Sequence, residues 1–211
     1  MAGNGAYPGM FIEAARGQDE PIRLALAAFR GETRPELESA CDACEWLRVG
    51  QLGRLLKFFK REGVTEAVMV GQIAPKNLFD LRPDIRTLKL LARIPVRNAE
   101  TLFGAIADEL EAMGVRLLSA TTFLEDYLPG PGPVGGPELK ARQLDDAAFG
   151  YRIAKETSRL DIGQTVVVRH GTVLAVEAFE GTNRCIERGG ELGRGKHVML
   201  VKVSKPNQDF R

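Results

Sequence analysis

Apolar residues in the first 120 positions recur at two spacings. Short runs, IRLALAAF (22–29), EWLRVG (45–50), EAVMVGQI (66–73) and VRLLS (115–119), read as strands, although the alanines of the first also suit a helix. Between the runs the period is helical. PGMFIEAARG predicts a helix with Pro8 in its first turn and Gly17 past its end. In QLGRLLKFFKREG, Leu52, Leu55, Leu56 and Phe59 share one face, and Gly63 ends the helix. A polar loop, APKNLFDLRPD, leads to a helix carrying Ile85, Leu88 and Leu91 or their neighbours. Asn98 then caps a longer helix with Leu102, Ile106, Leu110 and Met113 inward and Gly114 as its stop. Strands alternating with helices predict an α/β domain with a mostly parallel, Rossmann-like sheet.

LPGPGPVGGPE (128–138) interrupts the pattern. Neither a helix nor a ladder crosses so much Gly and Pro, which predicts a linker over 129–138 between domains 1–128 and 139–211. Beyond it, ARQLDDAAFGYRIAKETSRL suggests a helix weakened by Gly150. QTVVVRHGTVLAVEAFEG predicts a hairpin turning at His170-Gly171. TNRCIERGGEL starts as a helix and is expected to end at its Gly pair, and HVMLVKVSK is a last strand. Together they predict a smaller α/β domain with mixed strand directions.

Composition narrows the classes of function. A net charge of +1 gives no electrostatic footprint for nucleic acid. The start, MAGNGAYPGMF, lacks the basic and apolar regions of a secretory signal, and no apolar run approaches bilayer-spanning length. The expectation is a cytoplasmic protein, with contact at a membrane surface left open. Cys41 and Cys44 form one CxxC with no second pair at zinc-site spacing, and Trp46 follows the pair. Together with Cys185 they read as ordinary reduced thiols.

Candidate chemistry lies in three places. Gly3-Asn4-Gly5 resembles the start of a dinucleotide-binding loop, but Pro8 stands where a third glycine is needed. What survives is a turn that lets an anion approach the backbone at a helix N-terminus, with a plain tight turn as the alternative. Lys76, Asp80, Arg82 and Asp84 sit in one loop after a strand, where basic residues suit a phosphate. The third place is the C-terminal half. Strand alternation sets Glu177 with Val173, Ala175 and Phe179, a costly carboxylate unless paired or metal-bound, and Glu180 on the opposite face. Glu180-Gly181-Thr182-Asn183 then turns into a helix. Asp161, Lys202, Lys205, Gln208 and Asp209 complete a constellation suited to phosphoryl chemistry, with lysine or Mg²⁺ stabilising charge and an aspartate handling water. His170 at a hairpin tip and His197 beside a Gly/Lys loop are poor candidates for a base, and no GxSxG or GxxxxGK[ST] motif occurs.

LDIGQTVVV, AVEAFEGTNRCIERGGEL and VKVSKPNQDFR, with VGQLGRLLKFFKREGV and LRPDIRTLKLLAR in the first half, resemble the LpxI-type UDP-2,3-diacylglucosamine pyrophosphatases over nearly the whole chain. The resemblance implies two α/β domains holding substrate between them. It implies hydrolysis of UDP-2,3-diacylglucosamine to UMP and 2,3-diacylglucosamine 1-phosphate (lipid X) in lipid A biosynthesis, with Mg²⁺ or Mn²⁺. It also implies peripheral work at the cytoplasmic face of the inner membrane, with a homodimer left open. On this basis Asp209, Lys205 and Lys202 are expected to be catalytic, and Glu180 and Asp209 to meet the cation. Gly3, Asn4, Gly5, Asp161, Gln164, Gly181, Thr182 and Gln208 are expected to contact substrate. Three departures stand out: Asn183 where the family usually has Asp, a start almost inside the Gly-rich turn without a preceding apolar strand, and an end just after Asp209. They motivate two rivals, an inactive nucleotide-sugar-lipid binding protein and a truncated fragment.

Overall fold

The computed structural model describes residues 1–73, 83–95 and 99–205. The chain divides into two compact units, one over Met1–Pro129 and the other beginning at Gly130.

In the first unit, α1 (Tyr7–Arg16) has Pro8 in its first turn and Gly17 at its end, as the pattern predicts. β1 (Ala25–Phe29) pairs in parallel with β2 (Ala43–Leu47). After α2 (Leu52–Glu62), β3 (Glu66–Ala67) pairs in parallel with β4 (Arg116–Leu117). Ala2 joins the two pairs, in parallel register with both Ala28 and Val70. Its N–H donates to the Ala27 carbonyl at 3.0 Å, and the Gly3 N–H donates to Val70 at 2.8 Å. The order across the unit is therefore β2, β1, residues 1–3, β3, β4. Pairing over 66–73 is sparser than the apolar run suggests, because among the described residues only Val70 and Gln72 form bridges beyond Ala67. A cavity of about 370 Å³ is lined by Met1, by Leu24–Leu26 and by Glu66–Val68. The Met1 amino group is buried and donates to the Val68 carbonyl at 2.8 Å. Burial lowers its pKa to about 6, against a small opposing effect of Cys41.

Helices cover the sheet by their apolar stripes. Leu52, Leu55, Leu56, Phe58 and Phe59 of α2 are buried with Leu47, Leu110 and Val115, and Gly63 ends the helix in the left-handed region (φ 66°). In α3 (Ile85–Leu91), Thr87 and Leu90 take the buried positions while Ile85 and Leu88 face out. The cause is Asp84. It caps α3 by accepting from the Thr87 N–H at 2.9 Å and ties the helix to α2 by accepting from the Gly53 N–H at 2.7 Å. Asp84 is thus a structural cap, while Lys76, Asp80, Arg82 and Asn98 lie outside the described residues. α4 (Ala99–Glu111) buries Ala107 and Leu110, and Gly114 follows with φ 80°. Cys41 and Cys44 are free thiols. Burial and the nearby Glu38 push Cys44 up to about 11, far from a reactive thiolate.

The second unit is a three-stranded sheet between two helices. Its elements are α5 (Ala141–Arg159), β5 (Thr165–Arg169), β6 (Thr172–Val176), α6 (Thr182–Leu192) and β7 (Met199–Lys202). The order is β6-β5-β7 and both pairings are antiparallel, where the sequence pattern suggests mixed directions. Alternate residues of β5 serve opposite faces: Val166 and Val168 pack with Ala154 of α5, and Val167 packs with Ala175 and Cys185 of α6.

Two glycines that read as helix breakers are contact points. α5 runs through Gly150, where a methyl would sit 2.7 Å from a Val201 methyl. α6 continues past the expected stop at Gly189-Gly190 to Leu192, and a methyl at 189 would lie 2.5 Å from Val167 Cβ. The gain in helix–sheet packing outweighs the roughly 1 kcal/mol propensity cost of a helical glycine.

The hairpin turns at His170-Gly171 as predicted, with φ of 51° and 73°. Asp146 of α5, itself buried, accepts from the His170 N–H at 2.8 Å and the Gly171 N–H at 2.7 Å. Burial works against its charge, but the two N–H donors outweigh it and hold the carboxyl below its ordinary pKa. Replacing Asp146 by alanine is expected to cost about 1.5–3 kcal/mol at neutral pH, the range for hydrogen bonds to a charged group. Because the folded pKa is the lower one, the contribution is complete above about pH 4 and fades as pH falls through it. Urea unfolding of wild type and variant at pH 7 and pH 3 checks both parts: the difference in stability should shrink in acid.

Candidate active site

The expected C-terminal constellation gathers at one end of the second unit's sheet. β5 begins there with Thr165, whose partner across the ladder is Lys202, the last residue of β7. β6 ends at Val176, and the chain turns through 177–181 into α6. Strand alternation therefore stops before Phe179, which is exposed rather than on the buried face with Ala175. Glu177 remains anchored, its N–H donating to the Thr165 carbonyl at 2.8 Å.

Glu177 is buried, and its carboxylate has two donors. The Thr182 hydroxyl donates to Oε1 at 2.8 Å, and the Gln164 N–H approaches Oε2 at 3.4 Å. Thr182 opens α6 and receives the Lys202 ammonium on the same hydroxyl at 3.1 Å. The Thr165 hydroxyl stands 3.5 Å from it. The N-cap of α6, Gly181, has φ 83° and offers no side chain to the first-turn N–H groups. An eleven-residue helix presents partial positive charge at such an end. A lysine, a hydroxyl and a helix start thus converge at one place.

The strand's continuation adds a second lysine. The Val203 N–H donates to the Gln164 carbonyl at 2.9 Å, carrying the chain past the start of β5. Lys205 then forms an ion pair with Asp161, whose φ of 55° lies in the left-handed region. Asp161, Gln164, Gly181, Thr182, Lys202 and Lys205 are therefore neighbours in one region. Gln208 and Asp209 lie outside the described residues.

Glu180, the expected metal ligand, is held by neighbours in the chain. Arg188, two turns along α6, donates to its Oε1 at 2.5 Å, and the Ala178 N–H donates to Oε2 at 3.1 Å. Its own N–H and then Arg188 hold the carboxyl below its ordinary pKa. Among the described residues, no three His, Cys, Asp or Glu side chains come together in a way that could hold a metal ion.

Gly3, Asn4 and Gly5 belong to the first unit. Gly3 is required by packing, because a methyl there would lie 2.3 Å from the Gln72 carbonyl oxygen. The Asn4 side chain accepts from the Gly5 N–H at 2.6 Å. Gly5 has φ 99° and open space around it, so of the three it leaves the backbone at the entrance to α1 accessible. The dinucleotide fingerprint stays incomplete at Pro8, which is buried in the first turn of α1.

Two participants escaped the sequence-based assignment. Glu177 carried a signal, a carboxylate in an apolar strand, but without the fold nothing linked it to Thr182. Arg188 had only its position two helical turns from the start of α6, a spacing shared by many surface arginines.

An antiparallel sheet sandwiched by helices, with Lys202 and the start of α6 at one edge, places the second unit among α/β folds. The LpxI N-terminal domain family matches residues 1–127 and the LpxI C-terminal domain family matches residues 130–211, so the chain belongs to the LpxI family. It is similar to the UDP-2,3-diacylglucosamine pyrophosphatase LpxI of Caulobacter vibrioides, at 30% identity over 222 residues that cover 100% of this chain and 78% of that protein.

Proposed function

We propose that this chain hydrolyses UDP-2,3-diacylglucosamine to UMP and 2,3-diacylglucosamine 1-phosphate. Membership of the LpxI family and the named activity of the Caulobacter relative support the reaction. The observation that carries it to particular residues is the convergence of Lys202, Thr182 and the start of α6. On this reading one water oxygen forms a bond to a phosphorus of the pyrophosphate, the bridging P–O bond breaks, and a proton is released. Lys202 and the α6 N–H groups offset the charge growing on the phosphoryl oxygens. Lys205, oriented by Asp161, binds the second phosphate. Gln164 and Gly181 line the same edge, and Gln208 keeps its expected role in contacting substrate. Asp209 orients the water.

Divalent-cation dependence belongs to this reading, with Glu180 and Asp209 as its candidate ligands. Mg²⁺ commonly takes one or two carboxylates plus substrate phosphate oxygens, so a cation would arrive largely on the substrate. Glu180 would meet it only by leaving Arg188. The first unit is assigned the nucleotide end as a Rossmann-like domain, through the turn at Gly3, Asn4 and Gly5. An acylated substrate sets the work at the cytoplasmic face of the inner membrane. No helix among the described residues is long and apolar enough to cross the membrane.

Purified protein with UDP-2,3-diacylglucosamine is expected to release UMP only with Mg²⁺ or Mn²⁺. Activity should vanish with EDTA and return on adding metal. Tight substrate binding with no UMP under any of these conditions would replace this reading with that of a binding protein.

A further inference from the structure

Glu177 has no place in the phosphoryl chemistry above, yet it is buried beneath the residues that do. Its carboxylate faces away from open solvent and meets the Thr182 hydroxyl at 2.8 Å. A threonine hydroxyl has one proton to give and lone pairs to offer. Once the proton is committed to Glu177, the lone pairs turn toward Lys202, which lies 3.1 Å away. Lysine is a flexible point charge with three rotatable donors, so it takes a direction only from an acceptor that has one. Two further contacts hold Glu177: its N–H on the Thr165 carbonyl and the Gln164 N–H near its second carboxylate oxygen. Lys202 sits opposite Thr165 in the ladder, so backbone register sets the distance across which this chain of contacts works.

We infer that Glu177 is a positioning residue for Lys202, acting through the Thr182 hydroxyl. It touches neither substrate nor reacting atoms. It fixes the donor–acceptor sense of Thr182 and so the seat of the ammonium that faces the phosphate. The kinetic half of this inference rests on the pyrophosphatase reading; the structural half does not.

The test uses the full chain and three variants. Glu177→Gln keeps one carbonyl oxygen for Thr182, Glu177→Leu keeps the volume and removes every acceptor, and Thr182→Val breaks the link to Lys202. Glu177→Leu is expected to lower kcat for UMP release about 10- to 100-fold with KM within threefold, and Glu177→Gln to stay within about fivefold of wild type. Adding Glu177→Leu to Thr182→Val should lower kcat no further, because the link is already cut. The Lys202 ammonium is followed separately by ¹⁵N NMR of lysine-labelled protein at low temperature. Its cross-peak should be present in wild type and Glu177→Gln and lost in Glu177→Leu. A Glu177→Leu protein that keeps this cross-peak, or whose effect adds to that of Thr182→Val, overturns the inference. If wild type releases no UMP, the pyrophosphatase reading fails and the NMR result alone decides the role of Glu177.

Discussion

Lys202→Met is expected to lower kcat for UMP release by about 10²–10³, the scale seen when one preorganised donor to developing charge is removed. Stability should stay within about 0.5 kcal/mol of wild type. The two halves come from different features of the same residue. Lys202 is exposed at the end of β7, and its ladder pairing with Thr165 uses backbone, which methionine retains. Its ammonium makes its hydrogen bond to Thr182, at the start of α6. Methionine preserves the stem and deletes only the charge, so any loss reports electrostatics at the phosphate. Arginine at 202 should recover only part of the rate, since its planar fork does not fit an acceptor arranged for a compact ammonium. Equal kcat for wild type and Lys202→Met would take Lys202 out of the chemistry and leave Lys205 as the lysine to examine.

The fold was legible where local chemistry and tertiary packing agree. Gly63 ends its helix and His170-Gly171 turns its hairpin at positive φ, a local preference of the backbone that glycine meets easily. Legibility failed where a glycine serves a neighbour. Gly150 and Gly189 look like weak points in a helix, and only Val201 and Val167, far away in sequence, explain them. The inward face of α3 was hidden for a similar reason. Asp84 fixes that helix through Gly53, a partner 31 residues away, and that bond rather than the apolar period selects Thr87 and Leu90. Candidate chemistry followed the same rule. Residue types at 177, 180, 182, 202 and 205 marked a region, but pairing did not follow from type. Glu180, a metal candidate by composition, is engaged by Arg188, while Glu177 supports Thr182.

Gly163→Ala is the substitution expected to cost the most in the second unit. A methyl on residue 163 would stand 1.9 Å from the Glu177 carbonyl oxygen, 2.6 Å from its carbon and 3.1 Å from its Cβ. The obstacle is mostly backbone, which has no rotamer to change. Neither strand can easily give way, because the Glu177 N–H is bonded to Thr165 and the Gln164 carbonyl receives the Val203 N–H. Overpacking in an interior commonly costs 1–3 kcal/mol, and a clash on fixed backbone belongs at about 3 kcal/mol or above. Relief requires Glu177 to move, and that movement carries its carboxylate away from Thr182. Gly163→Ala should therefore lower the urea midpoint of unfolding and the rate of UMP release together. Lys202→Met separates the same two quantities, so the pair tells a distorted site from an intact one that lacks its charge. Gly189→Ala should destabilise less, because its methyl meets the Val167 side chain, from which α6 can draw back slightly. A Gly163→Ala protein with the wild-type midpoint would mean that residues 163 and 177 do not approach as closely as described, and the support assigned to Glu177 would lose its footing with them.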